Sequence, residues 1–342
     1  MNYRKLGNSG LYVSELCYGA MSFTGSKGWS HISKTNQKEA DELTAMAIDN
    51  GINFIDTADI YSEGASEIML GKALGKKRKD IILTTKFGFK VGEGVNDNGL
   101  SRKRVIEACD ESLKRLNTDY IDLYLIHAAD FVTPMEETLS ALNDLVRQGK
   151  VRYIGCSNFY GWQLVKANAI AEKNGWEKLI VNQIYYSLLG RESEYEMIPA
   201  AIEEGIANTI WSPLHGGILS GKYFDKKNWP KDTRIKEPGA HFPYDVVQGE
   251  EVMKAVIRIA KDNKVSPAQV SLNYLLKKKG VSSLVIGAKN KEQLLDNLNT
   301  EKWELTKEQF DELDNLSAPK NVYPHWYYNF FRKAELEKGS HL

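Results

Sequence analysis

Ile81-Ile82-Leu83-Thr84-Thr85, the amphipathic run Ser101–Leu116 and Ile121-Asp122-Leu123-Tyr124-Leu125-Ile126 follow one another in that order and read as strand, helix, strand, with Lys86 and His127 expected just after the two strands. The two apolar runs suit a parallel sheet buried on both faces. In the middle run, Val105, Cys109, Ser112 and Leu116 share one helical face, widened by Ile106 and Leu113. Arg102, Glu107, Asp110 and Lys114 lie elsewhere, as on a helix that covers a sheet. The same alternation continues from about residue 17 to residue 300, with further strands expected at Leu16–Gly19, Asn53–Asp56, Tyr153–Cys156, Leu179–Asn182, Asn208–Trp211 and Ser283–Ile286. Eight strands with helical crossovers point to an α/β fold, one (β/α)8 TIM barrel over residues 1–342; a doubly wound open sheet is the rival.

Around that barrel the sequence places three additions. Residues 1–16 form an N-terminal β-hairpin, Tyr3–Leu6 and Val13–Leu16 about the turn Gly7-Asn8-Ser9-Gly10. Residues 223–250, with Pro230, Pro238 and Pro243, read as a loop insertion, and 319–342 as a tail dense in aromatics over Tyr323–Phe331, after extra C-terminal helices. Helix starts are marked at Thr133-Pro134-Met135-Glu136 and Ser266-Pro267-Ala268-Gln269, with weaker versions at Asn36…Glu39 and Thr306…Gln309.

Composition narrows the function classes. Lys+Arg and Asp+Glu both number 45, so no electrostatic grip on nucleic acid or an anionic membrane is expected. No apolar run approaches the roughly 20 residues of a membrane span. Met1–Gly7 lacks the apolar core of a signal peptide. Cys17, Cys109 and Cys156 make neither a disulfide framework nor a zinc cluster, which fits a cytoplasmic protein. The six histidines include no H-x-H or H-E-x-x-H, so no metal is expected. Gly216-Gly217-Ile218-Leu219-Ser220-Gly221-Lys222 matches G-x-x-x-x-G-K, but Tyr223 stands where a nucleotide-hydrolysing loop needs Ser or Thr for magnesium.

A barrel works at the C-terminal ends of its strands, and four ionisable residues fall there: Asp56, Tyr61, Lys86 and His127. A phenol of pKa about 10 is too weak an acid for neutral pH. A neighbouring ammonium favours the phenolate, and a shift of ~2 units corresponds to roughly 2.7 kcal/mol. Asp56 would keep Lys86 charged and in place, and neutral His127 would donate a hydrogen bond to a substrate oxygen. Such a set protonates a developing alkoxide, and it needs a hydride source.

Asp56-Thr57-Ala58-Asp59-Ile60-Tyr61, Thr85-Lys86, Leu125-Ile126-His127 and Gly155-Cys156-Ser157-Asn158-Phe159 together resemble the aldo-keto reductase superfamily, from Arg4-Lys5-Leu6-Gly7 to about residue 318. The resemblance implies an NAD(P)H-dependent oxidoreductase that reduces aldehydes and ketones. It implies Tyr61 as proton donor, Lys86 and Asp56 as its tuning pair, and His127 as the group orienting the carbonyl. It further implies cofactor contacts from Ser157, Asn158 and Gln183 to the carboxamide, with Trp211 stacked on the nicotinamide. Ser212, Leu214, Gly216 and Lys222 would wrap the pyrophosphate, and Gly287, Lys289, Gln293 and Asn297 would hold the adenosine end. Lys289 and Lys291 favour NADPH over NADH by charge-assisted bonding to a 2′-phosphate. No Gly-x-Gly-x-x-Gly occurs, so Rossmann-type binding is not expected.

Two positions depart from the pattern. His215 stands where a small or different polar residue is expected, and Ala128-Ala129-Asp130 follows His127 in place of a second His or Trp. Phe23, Trp29, Phe87 and Phe89 are candidates for an apolar substrate pocket. The expected partner is a small-molecule carbonyl substrate, with the oligomeric state open. The alternative is a nicotinamide-binding, redox-sensing subunit, as in the superfamily's potassium-channel β subunits.

Overall fold

The computed structural model describes residues 1–24, 35–223 and 242–332. A hairpin of β1 (Tyr3–Lys5) and β2 (Tyr12–Ser14) leads into β3 (Leu16–Gly19), α1 (Gln37–Asp49), β4 (Phe54–Asp56), α2 (Ala65–Leu74), β5 (Ile82–Phe87) and α3 (Arg102–Leu116). The alternation continues with β6 (Ile121–Ile126), α4 (Met135–Arg147), β7 (Val151–Ser157), α5 (Gly161–Asn174), β8 (Leu179–Tyr185), α6 (Met197–Glu203) and β9 (Ala207–Trp211). Two helices, α7 (Val246–Asn263) and α8 (Pro267–Lys277), precede β10 (Val281–Ile286), and α9 (Lys291–Leu298), α10 (Lys307–Leu316) and α11 (His325–Phe331) follow it. Strands β3 to β10 are parallel and closed, because β10 pairs with both β9 and β3. The barrel expected from the sequence is the fold.

The hairpin marks which end of the barrel is plugged. Leu6 and Val13 pack against Cys17, Phe54, Leu123, Leu125, Val181 and Ala207 inside the barrel. Gly7, at φ +59°, lies where a Cβ would come within 2.8 Å of the Gly205 and Ile180 carbonyl oxygens, so only glycine fits. Ile180 is the second residue of β8 and Gly205 lies two residues before β9, so the hairpin closes the N-terminal end. The C-terminal strand ends are left to form a site.

Helix starts rearrange the expectations. The weaker candidates, Asn36…Glu39 and Thr306…Gln309, are reciprocal capping boxes. Ser266 caps α8 through the Gln269 amide, but the Gln269 side chain donates to Asp296 instead of returning to the cap. At 133–136 there is no box: the Thr133 hydroxyl and amide both donate to Asp130, which leaves Pro134 as the cap of α4. The far end of the expected 223–250 insertion is helical, since α7 begins at Val246, and 224–241 lie outside the described residues. In the tail, α11 leaves Trp326, Phe330 and Phe331 exposed.

Candidate active site

Lys86 lies within β5 rather than after it, and its alternation turns the side chain into the barrel. There it is fully buried, and its Nζ donates to Asp56 Oδ1 at 2.6 Å, to the Thr57 carbonyl at 2.8 Å and to Tyr61 Oη at 3.3 Å. Asp56, 2% exposed, also accepts from Gln183 Nε2 at 2.9 Å. Burial opposes the charge on Lys86, but the Asp56 carboxylate, with Tyr61, outweighs it and holds the ammonium above the usual lysine range.

The loop after β4 stays in register with β5. The Thr57 amide donates to the Thr84 carbonyl, and the Asp59 amide to the Lys86 carbonyl. Tyr61 is thereby fixed beside the strand that carries its lysine. On the other side stands His127, its amide bonded to the Phe87 carbonyl and its ring edge-on to Tyr61 at 5.9 Å between centroids. Burial, then the charge of Lys86, push the His127 pKa well below the ordinary histidine value, so the imidazole is neutral. Its buried Nδ1 has no hydrogen-bond partner among the described residues.

A cleft of about 780 Å3 opens from these residues across the barrel mouth, within the roughly 300–1,000 Å3 of small-molecule sites. Asp56, Tyr61 and His127 line one end. Ser157, Asn158, Gln183, Trp211, Ser212, Leu214, Gly216, Lys222, Gly287, Lys289, Gln293 and Asn297 line it as well. Asn158, at φ +57°, donates from Nδ2 to the His127 carbonyl and accepts at Oδ1 from Trp211 Nε1, both at 3.0 Å. The Ser157 hydroxyl donates to the Gln183 carbonyl at 2.9 Å. Ser212 Oγ accepts from the Gly216 amide, which curls the loop after β9. A dinucleotide suits this donor set: Gln183, Asn158 and the Trp211 indole are bonded to the tetrad or to one another, Lys222 and Lys289 add cations to the lining, and a Cβ on Gly287 would meet nothing within 4 Å.

Two of the expected pocket residues, Phe87 and Phe23, do not line the cleft. Phe87 follows inward-facing Lys86, so it points outward, fully buried and stacked on Tyr124 at 4.7 Å. Phe23 is tucked under the turn at Ala20–Ser22, fully buried and edge-on to Tyr18. Trp29 lies outside the described residues. Phe89 does line the cleft, 4.6 Å from the His127 ring. Lys291 pairs with Glu42 at 2.9 Å and does not line the cleft, which leaves Lys289 as the cation of that expected pair.

Other contributors escaped the sequence reading. Phe242, inside the expected insertion, lines the cleft beside Trp211, and no periodicity marked it. Arg104 is buried on the inner side of α3, where its Nη2 meets buried Asp59 at 3.3 Å, behind the loop that carries Tyr61. Burial and the nearby Glu67 charge raise Asp59 to about 7 against the opposing pull of Arg104. Among the described residues no His/Cys/Asp/Glu group is arranged to hold a metal, and no helix is long and apolar enough to cross a membrane.

Known proteins resemble this chain in sequence along most of its length. Residues 15–318 match the Aldo/keto reductase family. A probable voltage-gated potassium channel subunit beta of Oryza sativa subsp. japonica is 36% identical, covering 87% of this chain and 90% of its own. An uncharacterized oxidoreductase of Bacillus subtilis is 38% identical, over 90% of this chain and 93% of its own. A versiconal hemiacetal acetate reductase of Aspergillus parasiticus is 34% identical, over 95% and 99%. With a match across most of its length and the same barrel, the chain belongs to the aldo/keto reductase family.

Proposed function

We propose that the protein is an NADPH-dependent reductase of aldehydes and ketones, with Tyr61 as the proton donor. The observation that carries this reading is Lys86 Nζ, 2.6 Å from Asp56 and 3.3 Å from Tyr61 Oη, beside a cleft of about 780 Å3 that Asp56 and Tyr61 line. When bound, the reduced nicotinamide supplies the hydride. Tyr61 gives its proton to the carbonyl oxygen, and the ammonium of Lys86 stabilises the phenolate left behind. Asp56 and Gln183 keep that ammonium in position. His127, neutral beside Tyr61, orients the carbonyl oxygen. Ser157, Asn158, Gln183 and Trp211 hold the nicotinamide, and Lys289 accounts for preferring NADPH to NADH. Three buried thiols suit a cytoplasmic setting.

The channel-subunit relative supports a second reading, a redox-sensing subunit. Purified protein alone, given methylglyoxal, aromatic aldehydes, sugars and ketosteroids with each cofactor, separates the two. The reductase reading expects loss of reduced-nicotinamide absorbance with at least one carbonyl and tighter binding of NADPH. Cofactor binding without turnover on any member of that panel contradicts it.

A further inference from the structure

His215, the departure from the family pattern, is 1% exposed and sits at φ +50°, a conformation a non-glycine residue keeps only when its surroundings enforce it. Two hydrogen bonds do so. Nε2 lies 3.3 Å from the Phe242 carbonyl oxygen, which only accepts, so Nε2 carries the proton. Nδ1 is then an acceptor, to which the Tyr185 hydroxyl donates, with Ser187 Oγ also within reach at 3.3 Å. One imidazole joins the end of β8, the loop after β9 and the stretch that leads into α7.

The rings so joined form a wall. Tyr185 and Phe242 are 5.1 Å apart and flank Trp211 at 5.1 and 5.5 Å, and Tyr244 meets His215 edge-on at 5.1 Å. This wall stands at the tetrad end of the cleft. Trp211 is bonded to Asn158, which is bonded to the His127 carbonyl, and Tyr185 lies two residues beyond Gln183, which is bonded to Asp56. Phe242 and Trp211 line the cleft, whereas His215 does not reach it.

We infer that His215 is a positioning residue that seats the Phe242 ring against Trp211, so that the substrate end of the cleft favours planar aryl carbonyl compounds over short aliphatic ones. The inference rests on the reductase reading above. An aryl ring gains edge or face contacts with Phe242 that an aliphatic chain of a few carbons lacks.

The test measures kcat and KM for benzaldehyde and for propanal at saturating NADPH, with NADPH affinity measured separately by fluorescence quenching. It compares the unchanged protein with His215→Ala, Phe242→Ala and His215→Asn, the last keeping a side-chain acceptor and donor in a residue that tolerates positive φ. The unchanged protein is expected to prefer benzaldehyde. His215→Ala and Phe242→Ala should each lower the benzaldehyde-to-propanal ratio of kcat/KM about three- to tenfold, mainly through the benzaldehyde KM, and His215→Asn should recover part of it. An unchanged ratio in Phe242→Ala, or losses equal for both aldehydes, overturns the inference while the reductase reading stands. No reduction of any carbonyl by the unchanged protein overturns both.

Discussion

Replacing Lys86 with methionine removes the only cation bonded to Asp56 among the described residues, in a place with no solvent to take over. Asp56 keeps one side-chain donor, Gln183 Nε2 at 2.9 Å, for a carboxylate that is 2% exposed. Breaking a buried pair from one side costs about 3–5 kcal/mol, because a charge is left without its partner. With an unfolding entropy of about 2.1 cal/mol/K per residue, a chain of 342 residues has roughly 0.7 kcal/mol/K at its midpoint. The Tm of Lys86→Met should therefore fall about 4–7 °C in cofactor-free protein, where ligand binding does not contribute. Adding Asp56→Asn to Lys86→Met removes the stranded charge and should recover most of that loss. Neither variant should recover activity, which falls by a factor on the order of 10²–10⁴ when proton transfer is lost. Calorimetric melts of the two single variants and the double variant complete the cycle. A double variant as unstable as Lys86→Met, or a Lys86→Met melt like that of the unchanged protein, would refute the reasoning.

Other consequences follow from the same geometry. Because His127 is held below the usual histidine value of 6.5, the unfolded chain takes up a proton near that pH while the folded protein does not. Its contribution to stability is present above pH 6.5 and lost as pH falls below it, and the His127 ring carbons in NMR should still report neutral imidazole at pH 5.5; a midpoint near 6.5 would contradict this. Phe87→Ala should destabilise by about 3–5 kcal/mol in denaturant melts, with KM values for carbonyl substrates nearly unchanged, since Phe87 packs on Tyr124 away from the cleft. Lys289→Met should weaken NADPH binding roughly ten- to a hundredfold, the worth of a hydrogen bond to a charged group, and leave NADH binding alone. Burial pushes the Cys109 thiol up to about 12 and raises those of Cys17 and Cys156 as well, so an aromatic disulfide reagent should find no fast-reacting thiol among these three in the folded protein.

The barrel was legible because parallel strands covered on both faces must be apolar throughout, and Ile121–Ile126 and its counterparts meet that demand locally. The tetrad was legible because strand ends are easy to find and its four residue types are rarely combined there. What escaped depended on direction and on contacts distant in sequence. Phe87 and Lys86 are neighbours, and β5 runs two residues past the expected end at Thr85, so strand alternation points Lys86 inward and Phe87 outward where a loop was expected. Phe23 turns under because the chain folds back at Ala20–Ser22, which no periodicity records. Arg104 looked like any charge on a helix, since only Asp59, 45 residues earlier, explains its burial. At Thr133 a strong local signal lost to Asp130, whose carboxylate accepts from the amides of Leu100, Val132 and Thr133 as well as the Thr133 hydroxyl.

The central claim is that the phenol of Tyr61, made acidic by the ammonium of Lys86, delivers the proton. Rapid-mixing measurement of a single turnover by Tyr61→Phe, with pre-bound NADPH and a carbonyl that the unchanged protein reduces, tests it most directly. The account predicts cofactor affinity within about twofold of the unchanged protein and a reduction rate lower by at least about 10². Reduction at a near-normal rate by Tyr61→Phe would contradict it.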